Sequence, residues 1–196
     1  MEKLNLVLEQ IGNRNELHAL LLNTFSLLEY IGSRKIIKSQ IDREISEELL
    51  GHIAEEIRHA QLLKHLALKL SSGLLTSYRD EHLICGKESK LYFQTIDCAA
   101  EKALSKKNLH LNYLLTTLLI EERAAGVYPL YNDFLGRCGF LNKLNSIIRD
   151  EDKHLSTVKG QIEKSLEGIV LNITYLRTLE KIAFDSFMDA ILQRLS

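Results

Sequence analysis

The chain carries the tetrad Glu-x-x-His twice, at Glu56–His59 and Glu151–His154. Each copy follows a helix-forming stretch that holds one further glutamate among apolar residues. In an α-helix, residues three apart share a face about one turn apart along the axis. A Glu and a His at that spacing aim a carboxylate oxygen and an imidazole nitrogen toward one point. Two such motifs, with one glutamate from each of two partner helices, form the six-ligand set by which a four-helix bundle holds two metal ions. Random order at this Glu and His content would give roughly 0.6 matches, so a single copy would carry little weight. Here there are two, both in amphipathic helical stretches. The partner glutamates are spaced to match: Glu29 lies 27 residues before Glu56, and Glu121 lies 30 before Glu151. Each interval suits two antiparallel helices joined by a short loop.

The remaining composition agrees with an all-α architecture. One proline and ten glycines in 196 residues, with abundant Leu, Ile, Ala, Glu and Lys, favour long helices over sheet. That length suffices for one domain with a sizeable core, so a single helical domain over 1–196 is expected. A formal net charge of −1 gives no reason to expect nucleic acid or an anionic membrane as partner. Cys85, Cys98 and Cys138 are isolated and form no Cys-x-x-Cys pair. That excludes an attached rubredoxin-type or zinc-ribbon module and fits a reducing cytosol. The N-terminal MEKLNLVLEQ lacks a basic region followed by an apolar run, so no secretory signal is expected. No apolar stretch reaches the roughly 18 residues that a membrane span needs. A cytoplasmic location follows as the expectation.

After a short amphipathic start, periodicity predicts a first long helix over Asn15–Lys38, with Leu22, Phe25, Glu29, Gly32 and Ile36 on one stripe. A second is predicted from Ile41 to Leu70, with Ile45, Leu49, Glu56, His59, Leu63, Leu66 and Leu70 near one face. Ser71-Ser72-Gly73 breaks it. Residues 74–107 read as a long crossover containing a shorter helix, Ser89–Ser105. The third bundle helix starts near Asn108 and aligns Leu111, Leu114, Leu118, Glu121, Ala125 and Tyr128. Pro129 is expected to kink it or open a bulge, and Arg137–Gly139 makes the turn. The fourth runs from Leu141 to Leu166, with Leu144, Ile147 or Ile148, Glu151, His154, Val158 and Ile162 on its stripe. Gly168 ends it, and a terminal amphipathic helix continues to Ser196.

A carboxylate inside an apolar stripe is costly unless its desolvation is offset. Two divalent ions would neutralise four such carboxylates together. Four carboxylates with two imidazoles suit iron or manganese better than zinc, whose structural sites favour thiolates. The expected ligands are Glu29, Glu56 and His59 for one ion and Glu121, Glu151 and His154 for the other, with Glu56 and Glu151 as the natural bridging pair. Glu122 competes with Glu121, although the phase of the stripe favours Glu121. Metal-bound imidazoles usually give their second N–H to a carboxylate or carbonyl. Asp150 is a candidate partner for His59 and Glu55 for His154, unless both are solvated surface acids. His52, one turn before Glu56, is a candidate for the end of the site or an interior hydrogen-bonded histidine. Tyr30, Tyr113, Tyr128 and Tyr131 read as packing residues, and His18, His65, His82 and His110 have no motif context.

On these residues the chain resembles the ferritin-like diiron-carboxylate superfamily from about Asn15 to Leu166. Storage ferritins have one Glu-x-x-His per subunit. Two, as here, look more like rubrerythrins, bacterioferritins and the dioxygen-activating oxidases and hydroxylases. The strings AEEIRHAQLL around Glu56–His59 and LLIEERAAGVY around Glu121 are similar to the tRNA methylthio-isopentenyladenosine hydroxylases. Those are short helical bundles that hydroxylate the prenyl side chain of a modified adenosine beside the anticodon.

The resemblance implies a ferritin-like four-helix bundle with a long crossover and extra terminal helices. It implies two Fe ions (Mn as the alternative), dioxygen as co-substrate, and the six ligands named above. The expected activity is that of a diiron oxidase or monooxygenase that oxidises or hydroxylates a substrate. No electron-transfer centre lies in the chain, so an external electron donor or reductase is implied. Phe25, Leu63, Leu118 and Ile148 would favour a small apolar substrate group, which the resemblance extends to a modified tRNA. The basic clusters are Arg34, Lys35 and Lys38 with Lys102, Lys106 and Lys107. Such runs are usually solvated helix faces, whereas phosphate contacts dominate RNA affinity. A rubrerythrin- or bacterioferritin-type ferroxidase or peroxidase is the first alternative, favoured by a large hollow oligomer over a monomer or dimer. A metal-free helical interaction protein is the second.

Overall fold

The computed structural model describes residues 1–12, 14–40, 44–104, 108–165 and 171–196; among these the fold is all-helical, with no strand. The helices are α1 (Glu2–Ile11), α2 (Asn15–Ser39), α3 (Glu47–Leu70), α4 (Gly86–Ala103), α5 (Leu109–Arg137), α6 (Asn145–Ser165) and α7 (Ile173–Leu195), with a short 3-10 turn at Asp80–His82. No helix among the described residues is long and apolar enough to cross a membrane.

Helix α3 starts later than its apolar pattern implies. Ser46 has extended backbone angles, and its hydroxyl accepts the Leu49 N–H at 3.1 Å, satisfying one of the open donors of the first turn. Glu47 and Glu48 follow, where acidic side chains meet the positive end of the helix dipole. Ile45 therefore precedes the helix and is 55% exposed, which corrects its place on the stripe. The expected start at Ile41 lies outside the described residues. The helix stops where Ser72 and Gly73 take positive φ (52° and 85°), and the Gly73 N–H returns to the Leu68 carbonyl at 2.8 Å.

The same devices bound α5. The Asn108 side chain accepts the Leu111 N–H at 2.9 Å. Helical structure runs through Pro129 to Arg137. Gly139 then turns with φ 84°, while the Phe140 N–H reaches Leu135 at 2.9 Å and the Gly139 N–H reaches Gly136 at 3.2 Å. Residues 141–144 form a turn, so α6 begins at Asn145 rather than Leu141. Leu144 is nonetheless buried, held by its N–H donating to Asn132 Oδ1 at 3.0 Å. The expected helix end at Leu166 and the break at Gly168 lie outside the described residues, as does the expected end of α4 at Ser105. That helix begins at Gly86, three residues before the expected Ser89.

The chain divides into two compact units, Glu2–Phe93 with Asp185–Ser196, and Gln94–Phe184 with Met1. In the first, α2 packs on α3 and α1 lies against α2. Its buried core includes Leu4, Leu8, Leu22, Phe25, Leu63 and Leu66. Helix α2 also buries Asn23, Thr24 and Ser26. Each has an assigned bond. Asn23 Nδ2 donates to the carbonyls of Ser77 (3.0 Å) and His82 (2.7 Å), Lys64 Nζ donates to Asn23 Oδ1 (2.7 Å), Thr24 Oγ1 accepts the Ile84 N–H (3.0 Å), and Ser26 donates to the Ala60 carbonyl (2.6 Å). The bonds to Ser77, His82 and Ile84 hold residues 77–84 on α2, and those to Ala60 and Lys64 tie α2 to α3, because buried polar groups must find partners. In the second unit α5 packs on α6, and Leu114, Leu118, Tyr131, Leu135, Ile147 and Val158 are buried.

His18 is buried in α2, and burial lowers its pKa from 6.5 to about 4. As pH falls, the unfolded chain takes this proton before the folded one. The contribution to stability is therefore whole above pH 6.5 and is lost between 6.5 and about 4, a change of about 3 kcal/mol. Urea midpoints of wild type and His18→Leu should diverge across that window, the wild type weakening faster. Parallel curves would show that His18 titrates without opposing the fold.

Candidate functional site

In the α2–α3 unit, Glu29 comes from α2 and Glu56 and His59 from α3. Helical phase sets the arrangement, since Glu56 and His59 are one turn apart on the face turned toward α2. Glu56 and His59 are 6% and 2% exposed. One ligand atom from each of Glu29, Glu56 and His59 lies within 4.8 Å of the others. His59 Nδ1 is 3.8 Å from Glu29 Oε2. That separation is too long for a direct hydrogen bond. It suits two donors on one ion, because atoms bound at about 2.1 Å lie at most about 4.2 Å apart.

One feature of this cluster escaped the sequence pattern. A Cβ placed on Gly32 would lie 3.2 Å from Glu56 Oε2, so the missing side chain leaves room for the carboxylate. The signal available was a glycine one turn past Glu29 in a helix interior, where glycine costs about 1 kcal/mol relative to alanine. On the other side, His52 Nε2 is 3.2 Å from Glu56 Oε1.

The α5–α6 unit repeats the glutamate–histidine pair. Glu121, Glu151 and His154 are 4%, 2% and 4% exposed. His154 Nδ1 is 3.8 Å from Glu121 Oε1, the same separation and the same atom types as in the first unit. Glu151 lies one turn before His154 on the buried face of α6. Of the two adjacent acids on α5, Glu121 is the buried one. Glu122 accepts bonds from Arg177 Nε (2.8 Å) and Nη2 (2.6 Å) at the surface.

The other candidates are placed as follows. Glu55 lies 3.8 Å from Arg58 Nη2, and Asp150 is half-buried. Tyr113, Tyr128 and Tyr131 are buried, whereas Tyr30 is partly exposed and stacks on Tyr78 with ring centroids 5.8 Å apart. His82 Nδ1 faces the Ser77 hydroxyl at 2.9 Å, and His65 is exposed. Phe25, Leu63 and Leu118 are buried; Ile147 is fully buried and Ile148 half-buried, so Ile147 belongs to the stripe. Arg34 and Lys38 are exposed, Lys35 is half-buried, and Arg34 lies 5.8 Å from the Tyr30 ring centroid. Lys102 is exposed, and Lys106 and Lys107 lie outside the described residues.

Each unit thus sets a glutamate beside a buried histidine that follows a second buried glutamate by one turn. Hard oxygen donors with borderline nitrogen are the donor set of a divalent first-row cation, and the residues fit that group. No protein-family model, no curated protein and no solved structure matches the chain.

Proposed function

We propose that the chain is a dinuclear-metal oxidoreductase built as a ferritin-like four-helix bundle. Glu29, Glu56 and His59 would hold one ion, and Glu121, Glu151 and His154 the other, with iron preferred and manganese the alternative. The supporting observation is recurrence. Two helix pairs each set a glutamate 3.8 Å from the Nδ1 of a buried histidine that follows a buried glutamate by three residues. Buried carboxylates gathered this way are costly alone, and a cation in each triad offsets that cost. The joining of the two ions into one pair is what the sequence repeat and the family resemblance imply.

When bound, the reduced metal pair supplies the activation of dioxygen for oxidation or hydroxylation of a substrate. The chain's own residues fix the donors and their surroundings. Phe25 precedes Glu29 by one turn, Leu63 follows His59 by one turn, and Leu118 precedes Glu121 by one turn; all three are buried. They exclude water beside the ligands and favour an apolar substrate group. The prenyl side chain of a modified tRNA adenosine is the candidate to which the local strings point. Electrons would come from a separate reductase.

Elemental analysis tests the reading. Protein expressed with added iron should hold about two ions per chain, and anomalous scattering at the iron and manganese edges should place them against the six named residues. Substantially less than one ion per chain, or ions elsewhere, would overturn it.

A further inference from the structure

We infer that His52 is a further nitrogen donor, ligating the same ion as Glu56 Oε1. The inference rests on the metal-binding reading above and extends its donor set. His52, Glu56 and His59 recur at intervals of four and three on α3, so all three project from one face. His52 Nε2 lies 3.2 Å from Glu56 Oε1, and the histidine side chain is 14% exposed. Neighbouring donors on an octahedral ion, bound at about 2.1 Å, are about 3.0 Å apart, close to this separation.

The two oxygens of Glu56 have different surroundings. Oε2 occupies the space opened by Gly32 on α2, 3.2 Å from where a Cβ would stand, while Oε1 is the oxygen beside His52. A carboxylate so divided presents Oε1 and the imidazole as an adjacent pair. The internal repeat sharpens the point. Four residues before Glu151, in the place that His52 takes before Glu56, the chain has Ile147, which is fully buried. One copy of the helix-pair unit therefore reads His-x-x-x-Glu-x-x-His and the other Ile-x-x-x-Glu-x-x-His. The extra nitrogen makes the two ion positions chemically unequal, and the ion that His52 binds gains affinity and a more nitrogen-rich field.

The experiment uses the full chain with Mn2+ alone, at less than one ion per chain so that the tighter position fills first. Pulsed EPR counts the histidine nitrogens on the ion, and equilibrium dialysis gives its affinity. Wild type should show two histidine nitrogens. His52→Ala and His52→Ile should each show one, with binding weakened by more than about tenfold, the lower bound seen for outer partners of metal ligands. His52→Ile copies the residue of the other repeat and keeps the helix surface filled, so it guards against a variant that fails to fold. One nitrogen in wild type, with affinity unchanged in both variants, overturns the inference and leaves the proposed function standing. One nitrogen in wild type, with affinity lost in the variants, also overturns it, because His52 would then only hold Glu56 by a hydrogen bond. Wild type that binds neither Mn2+ nor Fe2+ overturns both readings.

Discussion

Stripping metal from the protein with a chelator is expected to lower its melting temperature by about 8–16 °C, and Fe2+ or Mn2+ should restore it. An ion present at a thousandfold excess over its Kd stabilises the folded chain by about 4 kcal/mol. For a chain of this length each kcal/mol moves the midpoint by about 2–4 °C. The direction follows from the carboxylates. Glu56, Glu121 and Glu151 are 6% exposed or less, and burial of like charges without a cation opposes folding. His59→Ala and His154→Ala should each lose about one ion per chain and shrink the chelator-induced shift, because each removes the nitrogen donor of one triad. Calorimetry with and without EDTA, alongside elemental analysis of the same samples, makes the comparison. A midpoint indifferent to chelator in wild type and both variants would remove the ions from these residues.

What could be read from the chain, and what could not, follows from the range of the forces involved. The expected helix pairs are the ones that pack, α2 on α3 and α5 on α6, because interval length and apolar phase are local properties. The start of α3 depends on one hydroxyl at Ser46. Ile45 continues the apolar rhythm past the point where that cap ends the helix, so pattern alone overran the boundary. Leu144 misleads in the opposite way, since Asn132 buries it in a turn and burial there does not signal a helix. The phase of α5 already favoured Glu121 over Glu122. The partner that draws Glu122 outward, Arg177, lies 55 residues away, beyond any local pattern. Gly32 was legible only as an oddly placed glycine, because its role is to leave room for another helix's side chain. The buried Asn23, Thr24 and Ser26 would have read as faults in an apolar helix; their partners His82, Ile84 and Tyr78 sit in the segment that periodicity describes merely as a crossover.

Arg123→Ala is expected to cost about 3–5 kcal/mol of stability, although Arg123 belongs to neither triad. Glu121, Glu122 and Arg123 are consecutive on α5, and successive residues turn by about 100°, so three charges leave the helix in three directions. Glu121 points inward, Glu122 meets Arg177, and Arg123 meets Glu180 of α7. Arg123 Nε and Nη2 donate to the two Glu180 oxygens at 2.8 and 2.5 Å, and the guanidinium lies 4.3 Å from the Phe184 ring centroid. The flat two-point pairing and the ring contact both depend on arginine, so lysine cannot replace it. Glu180 is buried, and removing Arg123 takes from its two oxygens the charged donors that offset their desolvation, which sets the magnitude. An apolar pair, Arg123→Met with Glu180→Met, should recover most of the loss, because neither charge then needs solvating. Urea unfolding of the two single variants and the double variant measures the coupling. The clamp acts on the side of α5 opposite Glu121, so its release should also weaken the ion proposed at Glu121 and His154 while the one proposed at Glu29 and His59 keeps its affinity. A cost below about 1 kcal/mol would place this pair among ordinary surface contacts. The orientation of Glu121 would then rest on the packing of α5 against α6 alone.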